Sequence, residues 1–209
     1  MFLKVEKKSN FHSKNNKMQT HRHFLLHKPW GYLSQFVNNQ TKRKNKKLLG
    51  VLFDFPEGIM AIGRLDEDSE GLLLLTTDGK VSEQVRSKTV EKEYYIQVDG
   101  IITKEALEQL RQGVEISIHG KKYTTLACKA FALEFAPDIP ARTKKIRDPR
   151  HGPTSWLSIT ITEGKFRQVR KMSAAVGLPT LRLIRVRIGQ LELGSLLSGA
   201  VEEVTSFEY

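Results

Sequence analysis

Residues 63–79 read Gly-Arg-Leu-Asp-Glu-Asp-Ser-Glu-Gly-Leu-Leu-Leu-Leu-Thr-Thr-Asp-Gly. Four consecutive leucines, Leu72 to Leu75, follow a glycine and precede a Thr-Thr-Asp-Gly turn. A run so short and so apolar fits a strand buried on both faces, not an independent helix. Asp66, Asp68 and Glu70 therefore fall just before a rigid strand, where a scaffold can hold a reactive side chain still. Residue types alone leave this loop open. Its acids fit the first half of a calcium loop, but the bidentate acid that should close it falls on Thr77, and a strand occupies the place of the later ligands. A solvated acidic turn also accounts for it, as does an Arg64–Asp66 surface pair worth about 0–1 kcal/mol.

Towards the N-terminus, Ile59 to Ile62 read as a strand running into this loop, with Pro56-Glu57-Gly58 before it. Leu48, Leu49, Leu52 and Phe53 space as a short helix with one apolar side. The basic cluster 41–47 precedes them. Phe24 to His27 read as a strand stopped by Lys28-Pro29-Trp30-Gly31. Residues 1–23, rich in Lys and Asn with few apolar anchors, read as a disordered basic arm.

Towards the C-terminus, Asp78 is placed to cap a helix carrying Val81 and Val85, and Thr103 a helix that ends at Gly113. Between them Tyr94, Ile96 and Val98 alternate with Tyr95 and Gln97 as a strand. Residues 114–133 read as a meander of strands. Residues 136–154 form a long loop with four prolines and five cations, Arg142, Lys144, Lys145, Arg147 and Arg150. Such a loop is usually functional or disordered. Trp156 to Thr162 alternate as a half-exposed strand. Val169, Met172 and Val176 mark a helix ended by Gly177 and Pro179, and Leu181 to Ile188 form a last strand.

The 209 residues carry 34 Lys and Arg against 23 Asp and Glu, a net charge of +11. Clustered positive charge of this size points to a polyanion, nucleic acid before membrane. No apolar run is long enough to span a bilayer and no signal peptide is visible, so the expected place is the cytoplasm. Cys128 is the one cysteine and supports neither a disulfide nor a zinc site. No nucleotide-binding glycine pattern or metal-spaced cluster occurs, so no cofactor or metal is expected. No spare apolar stripe calls for self-association, and a monomer is expected.

The stretch G-R-L-D-x-D-S-E-G-L-L-L-L-T-x-D-G resembles the catalytic motif of pseudouridine synthases of the RsuA/RluE type. Further stretches resemble that family in the same order: His27-Lys28-Pro29-x-Gly31; Lys92-x-Tyr94 with its apolar strand; and Glu163-Gly164-x-x-Arg167-Gln168-Val169-Arg170-Lys171-Met172, with lysine at 171 where arginine is commoner. Leu183-x-Arg185 resembles the closing segment. The resemblance runs over roughly residues 24–190. It implies an α+β fold with a mixed, mostly antiparallel sheet in two lobes and a central cleft, residues 24–209 forming the catalytic domain. It makes Asp66 the nucleophile, Tyr94 the platform for the target base, Arg170 the partner of the aspartate and Leu183 a packing residue beneath the site. Two readings stand beside this: Tyr94 as ordinary strand core, and Lys165, Arg167 and Lys171 as cations offered to RNA phosphate at a helix start. Lys28, Arg64, Lys144 and Lys145 are further candidates for RNA contact. An N-terminal S4-type RNA-binding domain, common among relatives, finds no room in residues 1–23, which points to the RluE subgroup and to large-subunit (23S) ribosomal RNA as substrate. The same chemistry on tRNA or small-subunit RNA, a silent RNA-binding or assembly protein, and a magnesium-dependent nuclease are the alternatives.

Overall fold

The computed structural model describes residues 21–37, 45–87, 90–142 and 144–208. Its strands are β1 (His23–Lys28), β2 (Met60–Ala61), β3 (Glu70–Thr76), β4 (Lys92–Asp99), β5 (Glu115–Ile118), β6 (Lys121–Thr124), β7 (Lys129–Leu133), β8 (Thr154–Ile161), β9 (Thr180–Ile188), β10 (Leu191–Glu192) and β11 (Val201–Val204). The helices are α1 (Gly79–Val85), α2 (Lys104–Gln112) and α3 (Gln168–Ala175).

The four leucines lie in β3, and all seven of its residues are buried. Leu73 and Leu75 join one core with Phe24, Leu26, Ile96 and Ile159, while Leu72 and Leu74 join another with Val85, Ile184 and Ile188. Both faces of the strand are covered, which is why no polar residue alternates with the leucines. Full burial of each such side chain stabilises by about 2 kcal/mol.

The main sheet runs β11-β1-β3-β9-β4-β8-β7, with β2 and β10 appended at β3 and β9. It is antiparallel throughout except where β3 meets β9, and that parallel contact has only two registered pairs, Glu70↔Ile184 and Gly71↔Arg185. The junction divides the sheet into the two halves of an α+β fold, and the cleft opens there. Gly71 has φ +105°, and a Cβ on it would lie 2.3 Å from the Arg185 carbonyl oxygen. Only glycine lets the two backbones approach so closely.

Both expected caps form. Asp78 accepts from the amides of Lys80 and Val81, and Thr103 accepts from that of Ala106. Several expectations are corrected. The segment 48–53 makes only a 3-10 turn, Leu49–Val51, with Gly50 at its centre. The 59–62 strand shrinks to the two residues of β2. The meander splits: β5 and β6 form a separate hairpin, and β7 joins the main sheet beside β8. On β8, Ser158 and Thr160 are buried as well as the apolar face, so the strand is not half-exposed. Of the basic arm, residues 1–20 lie outside the described residues, as does 41–44 of the second cluster. The arm does not reach residue 23. His23 is buried at the start of β1, and Arg22 forms two hydrogen bonds of 2.6 and 2.7 Å to Glu203. Cys128 donates to the Leu110 carbonyl, and burial pushes its thiol up to about 11.

Candidate active site

A cleft of about 500 Å³ lies over the sheet junction. Asp66, Tyr94, Arg170 and Leu183 all line it, together with Arg64, Lys165 and Arg167. Asp66 comes from the loop 63–69, which is held from behind. The Ser34 hydroxyl donates to the Leu65 carbonyl (2.8 Å) and accepts from the Leu65 amide (3.0 Å). The Gly31 amide donates to the Glu67 carbonyl at 2.7 Å, and Lys46 pairs with the Glu67 carboxylate at 2.5 and 2.6 Å. The Ser69 amide closes the turn on the Asp66 carbonyl at 3.1 Å.

Asp66 and Asp68 are two residues apart and are pushed in opposite directions. Burial raises the Asp66 carboxyl above its usual range. The charges of Arg167, Arg170 and Lys28 work against that rise, and Asp68 adds to it. Burial would raise Asp68 too, but its hydrogen bonds from Arg167 and the charge of Arg170 outweigh it and hold that carboxyl low. The reason is geometric. Arg167 makes a fork on Asp68 (3.0 and 2.9 Å) and reaches Asp66 only at 3.5 Å. Such two-pronged guanidinium–carboxylate bonds are the strong kind.

The resemblance assigned Arg170 to the aspartate. Its guanidinium is bonded instead to the Asp68 carbonyl (2.7 Å) and the Ser69 hydroxyl (3.2 Å), and lies 3.5 Å from the Asp68 carboxylate. Arg167, read as a phosphate contact, is among the described residues the cation in ion-pair range of Asp66. It stands just ahead of α3 at φ +52°, a left-handed conformation that turns its side chain back over the loop.

On the facing strands, Tyr94 is buried in β4 and Leu183 in β9. Tyr94, Ile96 and Val98 share one face, so the cleft receives Tyr94 and not its neighbour Tyr95, which lies on the other side of the pleat.

Other candidates stand elsewhere. Lys28 is not a phosphate contact: it is 0% exposed, and its ammonium donates to the carbonyls of Ser69 (2.8 Å) and Pro29 (3.0 Å). Desolvation lowers it to about 7, against the pull of Glu70 and Asp68. Lys171 donates to the Ser117 carbonyl at 2.6 Å. Lys144 and Lys145 line a second hollow of about 850 Å³ under the basic loop, with Arg142, Arg147, Trp156 and Arg182.

Sequence reading missed three groups. Buried Glu163 accepts from the Tyr123 hydroxyl, from the Leu126 amide (2.9 Å) and from Gln168 (2.6 Å), tying the β5–β6 hairpin to α3. Glu70 and Arg182 form a buried two-pronged pair at 3.0 and 2.9 Å beside the junction. Arg185 lines the cleft, and its Nε donates to the Leu72 carbonyl at 2.7 Å. The acid of an acid-glycine turn, and arginines inside an apolar strand, were the available signals.

An acid on a braced loop, an aromatic on the facing strand and a rim of cations define a site for chemistry on a nucleic acid. Residues 22–175 match the RNA pseudouridylate synthase family. A ribosomal large subunit pseudouridine synthase E of Vibrio parahaemolyticus is 40% identical over 90% of this chain and 75% of its own. One of that name from Xanthomonas axonopodis pv. citri is 42% identical over 82% of this chain and 88% of its own. A solved pseudouridylate synthase superposes with a TM-score of 0.67 at 27% identity, covering 88% of this chain and 70% of that one. An archaeal box H/ACA Nop10–Cbf5 complex, at 16% identity and a TM-score of 0.51, shares the fold. The chain belongs to the RNA pseudouridylate synthase family, and is an isomerase that acts on RNA. Among the described residues no helix is long and apolar enough to cross a membrane.

Proposed function

We propose that the protein converts a uridine of large-subunit (23S) ribosomal RNA to pseudouridine, with Asp66 as the essential carboxylate. The convergence of Asp66, Tyr94 and Leu183 in one cleft supports the chemistry. The names of the two bacterial relatives support the substrate.

In this reading the target nucleotide leaves its stack, at a cost of a few kcal/mol that phosphate contacts offset. Its base packs on Tyr94, with Leu183 beneath. Asp66 acts ionised, either on C1′ or on a sugar proton. The N1–C1′ bond breaks, the base turns, and a C5–C1′ bond forms. The hydrogen on C5 leaves as a proton and N1 gains one, so nothing is oxidised or reduced. Arg170, bonded to the Asp68 carbonyl and the Ser69 hydroxyl, fixes the loop, while Arg167 supplies the positive charge that favours ionised Asp66. Arg64 and Lys165 meet phosphates at the rim, and Lys144 and Lys145 grip RNA farther out.

The test is proton release from RNA carrying tritium at uracil C5, comparing wild type with Asp66→Asn. Release from large-subunit RNA by the wild type alone, with both proteins binding RNA, is the expected result. Release from tRNA or small-subunit RNA instead would move the substrate. No release from any of the three would leave an RNA-binding protein without this activity.

A further inference from the structure

We propose that His119 and Phe166, with Lys165 and Lys171 around them, form a stacking subsite for an unpaired nucleotide next to the target uridine. The proposal deepens the reading above. It needs only that the protein bind RNA at this cleft.

Phe166 is 56% exposed, on the short segment between the buried Glu163 and α3. Its neighbours Lys165 and Arg167 both line the cleft, and Arg167 reaches Asp66. The ring therefore stands at the lip, one residue from a group that touches the candidate nucleophile. It is stacked on the His119 ring, with centroids 5.5 Å apart and planes 22° apart. The Lys171 ammonium lies 5.1 Å from the Phe166 centroid, and that of Lys165 lies 5.0 Å from the Tyr123 ring. Aromatic faces interleaved with cations are what single-stranded nucleic acid recognition uses: rings take the bases, cations take the phosphates.

The backbone places the ring. His119 and Gly120 join β5 to β6, and both have positive φ, 50° and 79°. A two-residue hairpin turn of this kind favours Asn-Gly or Asp-Gly. Histidine is among the residues that tolerate this left-handed conformation, so the turn holds the His119 ring outward at its first position. The hairpin is also anchored to serve as a rim: Glu163 bonds Tyr123 and Leu126, and Lys171 bonds Ser117. His119 thus sits at the tip of a braced arm, with its ring on Phe166.

Two variants test the proposal in the full chain. His119→Asn keeps and favours the turn while removing the ring. Phe166→Ala removes the other half of the stack from an exposed position. Binding is read with a short single-stranded oligoribonucleotide in which one uridine is flanked by a fluorescent purine whose emission falls on stacking. Turnover is read by tritium release from ribosomal RNA. For wild type we expect quenching of the flanking purine. For both variants we expect that quenching to be lost and affinity to fall about 5- to 150-fold, the range for losing a base-stacking aromatic. KM should rise more than kcat falls, and His119→Asn should melt no lower than wild type. Unchanged quenching and KM in both variants overturn the subsite, as does a wild type that binds no RNA or shows no quenching. Tritium release decides the functional reading separately: a wild type that quenches the purine but releases no tritium keeps the subsite and loses the enzyme.

Discussion

The wall of the cleft that carries Asp66 and the wall that carries Phe166 are held in opposite ways. The first is braced from behind by Ser34, Gly31, Lys28, Lys46 and Arg170, and almost every carbonyl and carboxylate of its loop has a partner. The second is anchored through the buried acid Glu163 and the Lys171–Ser117 bond, while it leaves Phe166 and His119 in solvent and holds His119 and Arg167 at positive φ. The difference divides the labour. A reacting group of the kind proposed for Asp66 must be kept within about 0.5 Å of its productive position, and a loop braced in this way can do that. A surface that meets a varied polymer needs open rings and cations. Arg167 is the link, rooted in the exposed wall and bonded into the braced one.

The sharpest break of this comparison is Asp66→Asn. Turnover by tritium release should fall by roughly 10⁴-fold or more. Stability should not fall. Because burial raises the folded-state pKa of Asp66, its carboxyl contributes stability that is present at low pH and lost as pH rises through that raised value. A neutral amide escapes the loss, so the variant should melt at or above the wild-type temperature at neutral pH. A clear drop in melting temperature would show that Asp66 is part of the brace instead of its cargo.

Next in size is the buried Glu70–Arg182 pair under the braced wall. Glu70→Gln should cost about 3–5 kcal/mol in urea unfolding, since it strands a buried guanidinium. The double change Glu70→Leu with Arg182→Met should recover most of that. If the single change costs under 1 kcal/mol, the junction of β3 and β9 does not depend on the pair.

Much of this arrangement is legible in local sequence, and what is not has one cause. Leu72 to Leu75, the caps at Asp78 and Thr103, and the alternation that turns Tyr94 and not Tyr95 to one face all follow from periods of a few residues. The partners that decide the site do not. Glu70 meets Arg182 across 112 residues, and Arg167 meets Asp68 across 99. Lys28 opens an exposed-looking turn in sequence, yet register places it opposite Gly71, beneath the loop. The exchange of Arg167 for Arg170 as the cation nearest Asp66 turns on one left-handed residue ahead of α3, which spacing on a helix face cannot reveal. The strand expected at 59–62 survives only as the two residues of β2, and the helix expected at 48–53 only as a single 3-10 turn, because such short apolar runs have few partners of their own and pack against the core.

Arg167→Gln probes the link between the walls. It removes the fork on Asp68 and the nearest positive charge to Asp66. Asp66, already raised, moves further up, so the acid limb of the pH–rate profile shifts to higher pH. The loosened loop should lower single-turnover release at neutral pH by roughly 10²-fold. Glu163→Gln, at the root of the other wall, should leave that acid limb in place and act on stability. An acid limb that stays put in Arg167→Gln would mean that another group governs it.

At Lys28 the effect is one of pH alone. Its ammonium is fully buried beneath the braced loop and titrates at about 7, below its ordinary 10.5, because burial disfavours the charge. A lowered folded-state pKa means the unfolded chain takes up its proton first as pH falls. The stability Lys28 contributes is therefore full above 10.5, declines as pH falls, and levels off below about 7. Lys28→Met lacks this dependence, though it leaves the Ser69 and Pro29 carbonyls without their donor, at about 1–3 kcal/mol each before the relief of desolvation is counted. Melting curves of the two proteins between pH 7 and 10 separate these terms. The advantage of wild type over variant should be greatest at the alkaline end and shrink steadily towards neutrality. Two parallel curves would mean that Lys28 is solvated and charged throughout, and the loop that holds Asp66 would then lack its innermost brace.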